Sequence, residues 1–393
     1  MDPGAPFPFG MDPESLRDAP LFRELQRVMA SSTGPVNWEL ARQVGVATAV
    51  EDGLDDVPGD EDRRGLDDAV RVAELQVASF TGLAPPGDVA PVRAVRRAEW
   101  VGANVESLRA LLEPAATRMT DALGTATTGR LPPEAGPMMA MVTQLGPLLH
   151  GTQIGQVLGT LAKRVLGQFD LAVPRSGPGE LLFIVPNIAA VERDWSLDRT
   201  EFRTFVALHE VTHRFEFAQP WTGPHFRELV EDFGSTLTFD IAGLQERFAS
   251  LDMSDPESMQ RTLGDGDSGD GLFGTVLDDE QRIKLGRIQA FMAAAEGYGD
   301  HVMHAVGEKL LGSYARIVEA MRRIRETDQR DPVFERLLGI DVKREQYEGG
   351  RRFCDAVAER TDGSVLARMW DDAASLPSLP ELDEPTLWLS RMV

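Results

Sequence analysis

ALHEVTHRFEF, residues Ala207 to Phe217, sets two histidines four residues apart and a glutamate directly after the first. On an α-helix such positions share one face and lie about 6 Å apart along the axis, so the imidazoles of His209 and His213 can reach one ion. Glu210, offset by one position, then stands near the ion without having to bind it. A zinc hydrolase places there the base that takes a proton from water activated by the metal. The chemistry on offer is hydrolysis.

Catalytic zinc needs a third protein ligand and an open fourth position. The metzincin spacing requires a glycine three residues after the second histidine and a histidine six after it. Glu216 and Gln219 occupy those positions, which excludes that class. His225, just past Pro220 and Trp221, and the carboxylates of Glu228, Glu231 and Asp232 are all open as the third ligand. The strongest candidate is Glu296 in FMAAAEGYGDHVM. Asp300, four residues on, approaches from the same helical face and is expected to hold the outer nitrogen of a zinc-bound histidine, a common duty of carboxylates around zinc. Gly297 and Gly299 each cost a helix about 1 kcal/mol relative to alanine, so another backbone or the substrate is expected to come close there. His301 and His304 are expected at the surface or beside the ligands, and His150 as a hydrogen-bonded core residue.

The elements that must position these residues are mostly helical. Asp198 is a plausible cap for a helix through Phe202 to Phe217. Further helices are expected over Val36 to Val50, Leu66 to Ser79, Ala98 to Leu112 and Pro224 to Ala242, with a long helical region after Gly271. An acidic link, EDGLDDVPGDEDRRG, and the Pro- and Gly-containing TGLAPPGDVAP separate the early ones. Glu180 to Val185 is the clearest strand, short, apolar and bounded by Gly179 and Pro186. The fold class is therefore mainly α, with at most a small β-sheet next to the HExxH helix. The domain reading is an N-terminal arm (1–35), a helical lobe (36–175), a metal-site lobe packed on it (176–357) and a C-terminal extension (358–393).

The chain has 393 residues, 42% hydrophobic and 26% charged, as an ordinary globular protein does. Its formal charge of -23 argues against nucleic acid or an anionic membrane surface as the main partner. Cys354 is the single cysteine, so the metal site must be built from His, Asp and Glu. The N-terminal residues lack a signal peptide's basic start and apolar run, and a cytoplasmic protein is expected. Met138 to Ala162 carries no charge and is long enough to span a bilayer, but Gln144, His150, Gln153, Gln156 and Pro147 favour a buried hairpin or kinked core helix. Gly151, Gly155 and Gly159 give that segment a smooth stripe for another helix. DGDSGDG near Gly264 imitates a calcium loop, but Val276 stands where the bidentate glutamate belongs, and a solvated turn is the better reading.

HEVTHRFEF, the PW that follows, the EGYGDHVM run at Glu296 to Met303 and LLGIDVKREQYEGGRRFCDAV at Leu337 to Val357 together resemble the zincin-like hydrolases common in actinobacteria. Members of that family are often labelled as associated with biosynthesis of a deazaflavin coenzyme. The resemblance runs from about Val36 to Val357, and the glutamate-then-aspartate spacing is similar to the third-ligand helix of gluzincin metallopeptidases. It implies a mostly helical zincin fold, with zinc on His209, His213 and Glu296, Glu210 as base and Asp300 behind. The chain departs from the pattern at Tyr298 and His304, where many members have His and Asp.

The expected function is thus zinc-dependent hydrolysis of a peptide or small amide. Tyr347 is the candidate donor to the developing oxyanion, because a phenol stays protonated at neutral pH; the alternative is a helix-packing residue. A metal-binding scaffold or partner-binding protein with the same fold and no turnover is the rival. An enzyme of coenzyme assembly is the third reading, and no phosphate-binding loop in the sequence supports it.

Overall fold

The computed structural model describes residues 34–87, 91–130, 136–170, 180–236, 278–327, 344–361 and 363–392. Its elements run α1 (Trp38–Ala49), α2 (Asp60–Thr81), β1 (Val92–Val95), α3 (Arg97–Arg130), α4 (Gly136–Ala162), β2 (Leu181–Ile184), α5 (Val185–Asp194), α6 (Arg199–Phe217), α7 (Thr222–Thr236), α8 (Asp279–Leu310), α9 (Tyr314–Thr327) and α10 (Arg344–Arg360). Short helices at Ser364–Ala367, Leu379–Asp383 and Pro385–Met392 follow. The fold is mainly α, as the sequence implies. The DGDSGDG loop and the end of the helix expected to reach Ala242 lie outside the described residues.

One sheet is described, of two parallel strands in the register Val92↔Leu181 to Val95↔Ile184. All four residues of β2 are buried, which is why it reads as a continuous apolar run. β1 was not anticipated from the sequence. Its four residues, VRAV, directly follow the Pro-rich stretch, and only Val95 is buried, so periodicity had too little to register.

α6, the helix of the two histidines, starts where Asp198 accepts a hydrogen bond from Glu201 N at 2.9 Å. Buried on almost every side, it lies between α2 and α8. Its buried arginines are paired, as buried charges must be: Arg203 with Asp62 (2.9 Å) and Glu192 (2.8 Å), and Arg214 with Glu74 (2.7 Å). Two of those three carboxylates belong to α2. That helix begins at Asp60, six residues before the expected start. Asp60, Glu61 and Asp62 fill its first turn, where negative charge complements the helix dipole, and Asp62 accepts a hydrogen bond from Gly59 N at 2.7 Å. Part of the acidic link is thus a helix start.

α4 runs unbroken through Pro147, so the uncharged segment is one helix and not a hairpin. The proline carbonyl accepts a hydrogen bond from Asn37 N at 2.9 Å. The glycine stripe meets α1, and a Cβ at Gly155 would lie 2.6 Å from Ala41 O. No helix among the described residues is long and apolar enough to cross a membrane. The largest hydrophobic cluster joins α2, β2, α6, α8 and α10, and residues beyond 358 add Leu366, Met369, Trp370, Leu382 and Trp388 to it. A second cluster holds α1, α3 and α4 together with Leu182 and Ile184 of β2.

The placement of α8 depends on its crossing with α10. A Cβ on Gly297 would overlap Gly350, and one on Gly350 would overlap the Ala293 carbonyl. The close approach expected at Gly297 is therefore made by a backbone. Gly350→Ala is expected to cost about 1–3 kcal/mol of unfolding free energy through overpacking, measured by urea denaturation.

Candidate metal centre

One turn of α6 separates His209 from His213, and their Nε2 atoms converge to 3.3 Å. The rings meet edge to face, with centroids 4.5 Å apart. Glu296 of α8 completes the group: one ligand atom from each of His209, His213 and Glu296 lies within 4.8 Å of the others. Gly299 makes this possible, because a Cβ there would sit 3.1 Å from His213 Cε1 and crowd the ring. Thus one of the two glycines admits a helix and the other an imidazole.

The outer nitrogens are held by carboxylates. Glu216 accepts a hydrogen bond from His213 Nδ1 at 2.8 Å, with both side chains fully buried. An N–H at Nδ1 leaves the Nε2 lone pair free to ligate. His209 Nδ1 faces Glu210 Oε1 at 3.4 Å and Asp170 Oδ1 at 3.7 Å. Glu216 occupies the outer nitrogen of His213, and the charge of Asp300, for which an outer nitrogen was expected, acts on Tyr314 and Cys354. Glu216→Ala is therefore expected to weaken metal binding by about 10 to 100-fold, the usual cost of an outer partner, read by competition with a chelating dye.

Four carboxylates surround two imidazoles here, and the electrostatics reflect it. Burial opposes charge on His209, but the Glu210 hydrogen bond and the charges of Asp170, Glu210 and Glu296 outweigh it and push the imidazole up to about 9. Burial, then the charge on His209, drives His213 well below the usual range. Burial raises Glu210, and burial with the nearby Glu296 raises Glu216 further. Glu216 Oε1 is buried without a hydrogen-bond partner among the described residues. A divalent cation between the ligands would offset this surplus of negative charge. The donor set suits zinc, for which Zn–N bonds of about 2.0–2.1 Å at a tetrahedral angle put two nitrogens about 3.3 Å apart.

The other candidates are elsewhere. The His225 ring packs beside Trp221 and Phe291, and Asp232 pairs with Lys284 at 2.9 Å. Glu228 and Glu231 are exposed on α7. Neither His225 nor these carboxylates join the group of ligand atoms around His209 and His213. Tyr347 is in the first turn of α10, and its side chain lies outside what is described. His301 bonds Asp355 at 2.8 Å, the exposed His304 lies 3.4 Å from the Tyr314 hydroxyl, and His150 Nδ1 is 3.2 Å from Pro35 O. Tyr298 is buried against Trp370, its hydroxyl raised by burial and by Glu216. Sequence reasoning missed Glu216 and Asp170. The first had a signal, since residues 213 and 216 share a helix face; the second, far away in sequence, had none.

A family model described as zincin-like metallopeptidase matches residues 36–389. Among solved structures, the chain is similar to the crystal structure of a presumed hydrolase with a novel fold from Chloroflexus aurantiacus, at 31% identity and a TM-score of 0.66, covering 91% of this chain and 98% of that one. No curated protein matches.

Proposed function

The chain belongs to the zincin-like metallopeptidase family, and from that premise we propose that it is a zinc-dependent hydrolase cleaving a peptide or amide bond. The observation that carries this reading is the convergence of His209, His213 and Glu296 on one point with Glu210 alongside. His209, His213 and Glu296 hold the ion, and Glu216 fixes the ring of His213 through Nδ1. When bound, zinc supplies a Lewis acid that lowers the pKa of water to about 7 and polarises the scissile carbonyl. Glu210 accepts the proton from the attacking water and returns it to the leaving nitrogen. Tyr347 donates its phenolic hydrogen to the developing oxyanion from the start of α10, the helix that packs against α8 at Gly350.

The complete burial of Glu210 favours a second reading, a zincin-fold metal-binding scaffold without turnover. Profiling the zinc-loaded protein on a peptide library separates the two. Cleavage that a chelator stops and added zinc restores supports the hydrolase. Full zinc occupancy with no cleavage of any peptide or small amide supports the scaffold.

A further inference from the structure

Besides the two helices that carry the ligands, a third stretch of chain enters the site. After α4 the backbone turns at residues 166–170 and is fastened to β2: Ile184 N donates to Leu166 O at 2.9 Å, and Gly167 forms an antiparallel bridge with Phe183. Asp170 closes the turn, its Oδ2 accepting from Gly167 N at 3.1 Å and from Leu166 N. From this turn Phe169 N donates to Glu210 Oε2 at 2.8 Å. Gly167 is not among the glycines with positive φ, so the backbone there does not require glycine. What requires it is space: a Cβ on Gly167 would overlap the Glu210 carboxylate and its Cγ.

We infer that the turn at 166–170 is the positioning device for Glu210, with the Phe169 N–H fixing Oε2 and the bare Cα of Gly167 leaving room for the carboxylate. Gly167 and Phe169 are positioning residues and touch no substrate. The inference rests on the hydrolase reading, in which Glu210 is the base. It gives the lobe of α1, α3 and α4 a part in the chemistry, since the turn follows α4 directly.

The test is Gly167→Ala, alone and with changes at Glu210. Zinc should still bind, because the substitution touches no ligand and Asp170 still faces His209 Nδ1, with a loss of no more than about tenfold from the displaced Glu210 oxygen. Acetohydroxamic acid, which chelates zinc and gives its proton to a neighbouring base, serves as the probe in calorimetric titrations of the zinc-loaded protein. Gly167→Ala should weaken its binding as Glu210→Gln does, by about tenfold or more, and the double variant should bind no more weakly than Glu210→Gln alone. Losses that multiply, or unchanged binding in Gly167→Ala, overturn the inference. A second comparison guards against a folding defect: Gly167→Ala should lower Tm in the wild-type background but not in Glu210→Ala, where the carboxylate it would strike is gone. Equal Tm losses in both backgrounds also overturn it. If the wild-type protein loads zinc but neither binds the probe nor cleaves peptides, the hydrolase reading falls, and the Tm comparison then decides the positioning role independently.

Discussion

Glu296→Ala is expected to lower zinc affinity on the order of a thousandfold or more, well beyond the 10 to 100-fold typical of an outer partner. The carboxylate is the one donor that α8 contributes to the group of His209 and His213. Without it two imidazoles from one helix remain, and no other described carboxylate stands in the same relation to both. Asp300→Ala, one turn further along α8, should leave affinity nearly unchanged, because Glu216 holds His213 and Glu210 with Asp170 face His209. His225→Ala should have no effect, its ring lying among Trp221 and Phe291. Competition with a chelating dye measures all three. Release of zinc by His225→Ala with retention in Glu296→Ala would move the site to the turn after Pro220.

Glu210→Gln should reduce hydrolysis by about 10² to 10⁴-fold, the usual contribution of a general base, while zinc stays bound. The amide has nearly the shape of the carboxylate, and its oxygen can still accept from Phe169 N, so the turn and the metal ligands are expected to stay in place. The capacity to take a proton is removed, and Asp170 remains as the carboxylate that faces His209 Nδ1. Turnover on any peptide that the wild type cleaves, with zinc content measured on the same sample, checks this. Wild-type turnover in the variant would assign the base to another group.

The helix of the two histidines was legible in the sequence because its signals are local. Asp198 caps it, His209 and His213 share its face, and its apolar flanks require burial. Gly297 and Gly299, costly in a helix interior, correctly signalled close approach, although not that one admits Gly350 and the other His213. β1 escaped notice because four residues with a single buried side chain carry no period. Which carboxylate holds an outer nitrogen is harder to read. Spacing along α8 shows which residues share a face, but the outer nitrogen of His213 is contested by every carboxylate within reach, and Glu216 on the same helix as the histidine reaches it without any tertiary packing. The turn at 166–170 was illegible altogether, since its contact with Glu210 joins residues some forty positions apart through a backbone N–H that any residue but proline offers.

An anomalous difference map at the zinc edge, from crystals of protein loaded with one equivalent of zinc, tests the central claim most directly. One peak is expected, at about 2.0–2.1 Å from Nε2 of both His209 and His213 and about 2.0–2.2 Å from a carboxylate oxygen of Glu296. A peak closed by His225 or by the carboxylates of α7, or no peak between the two histidines, would contradict it.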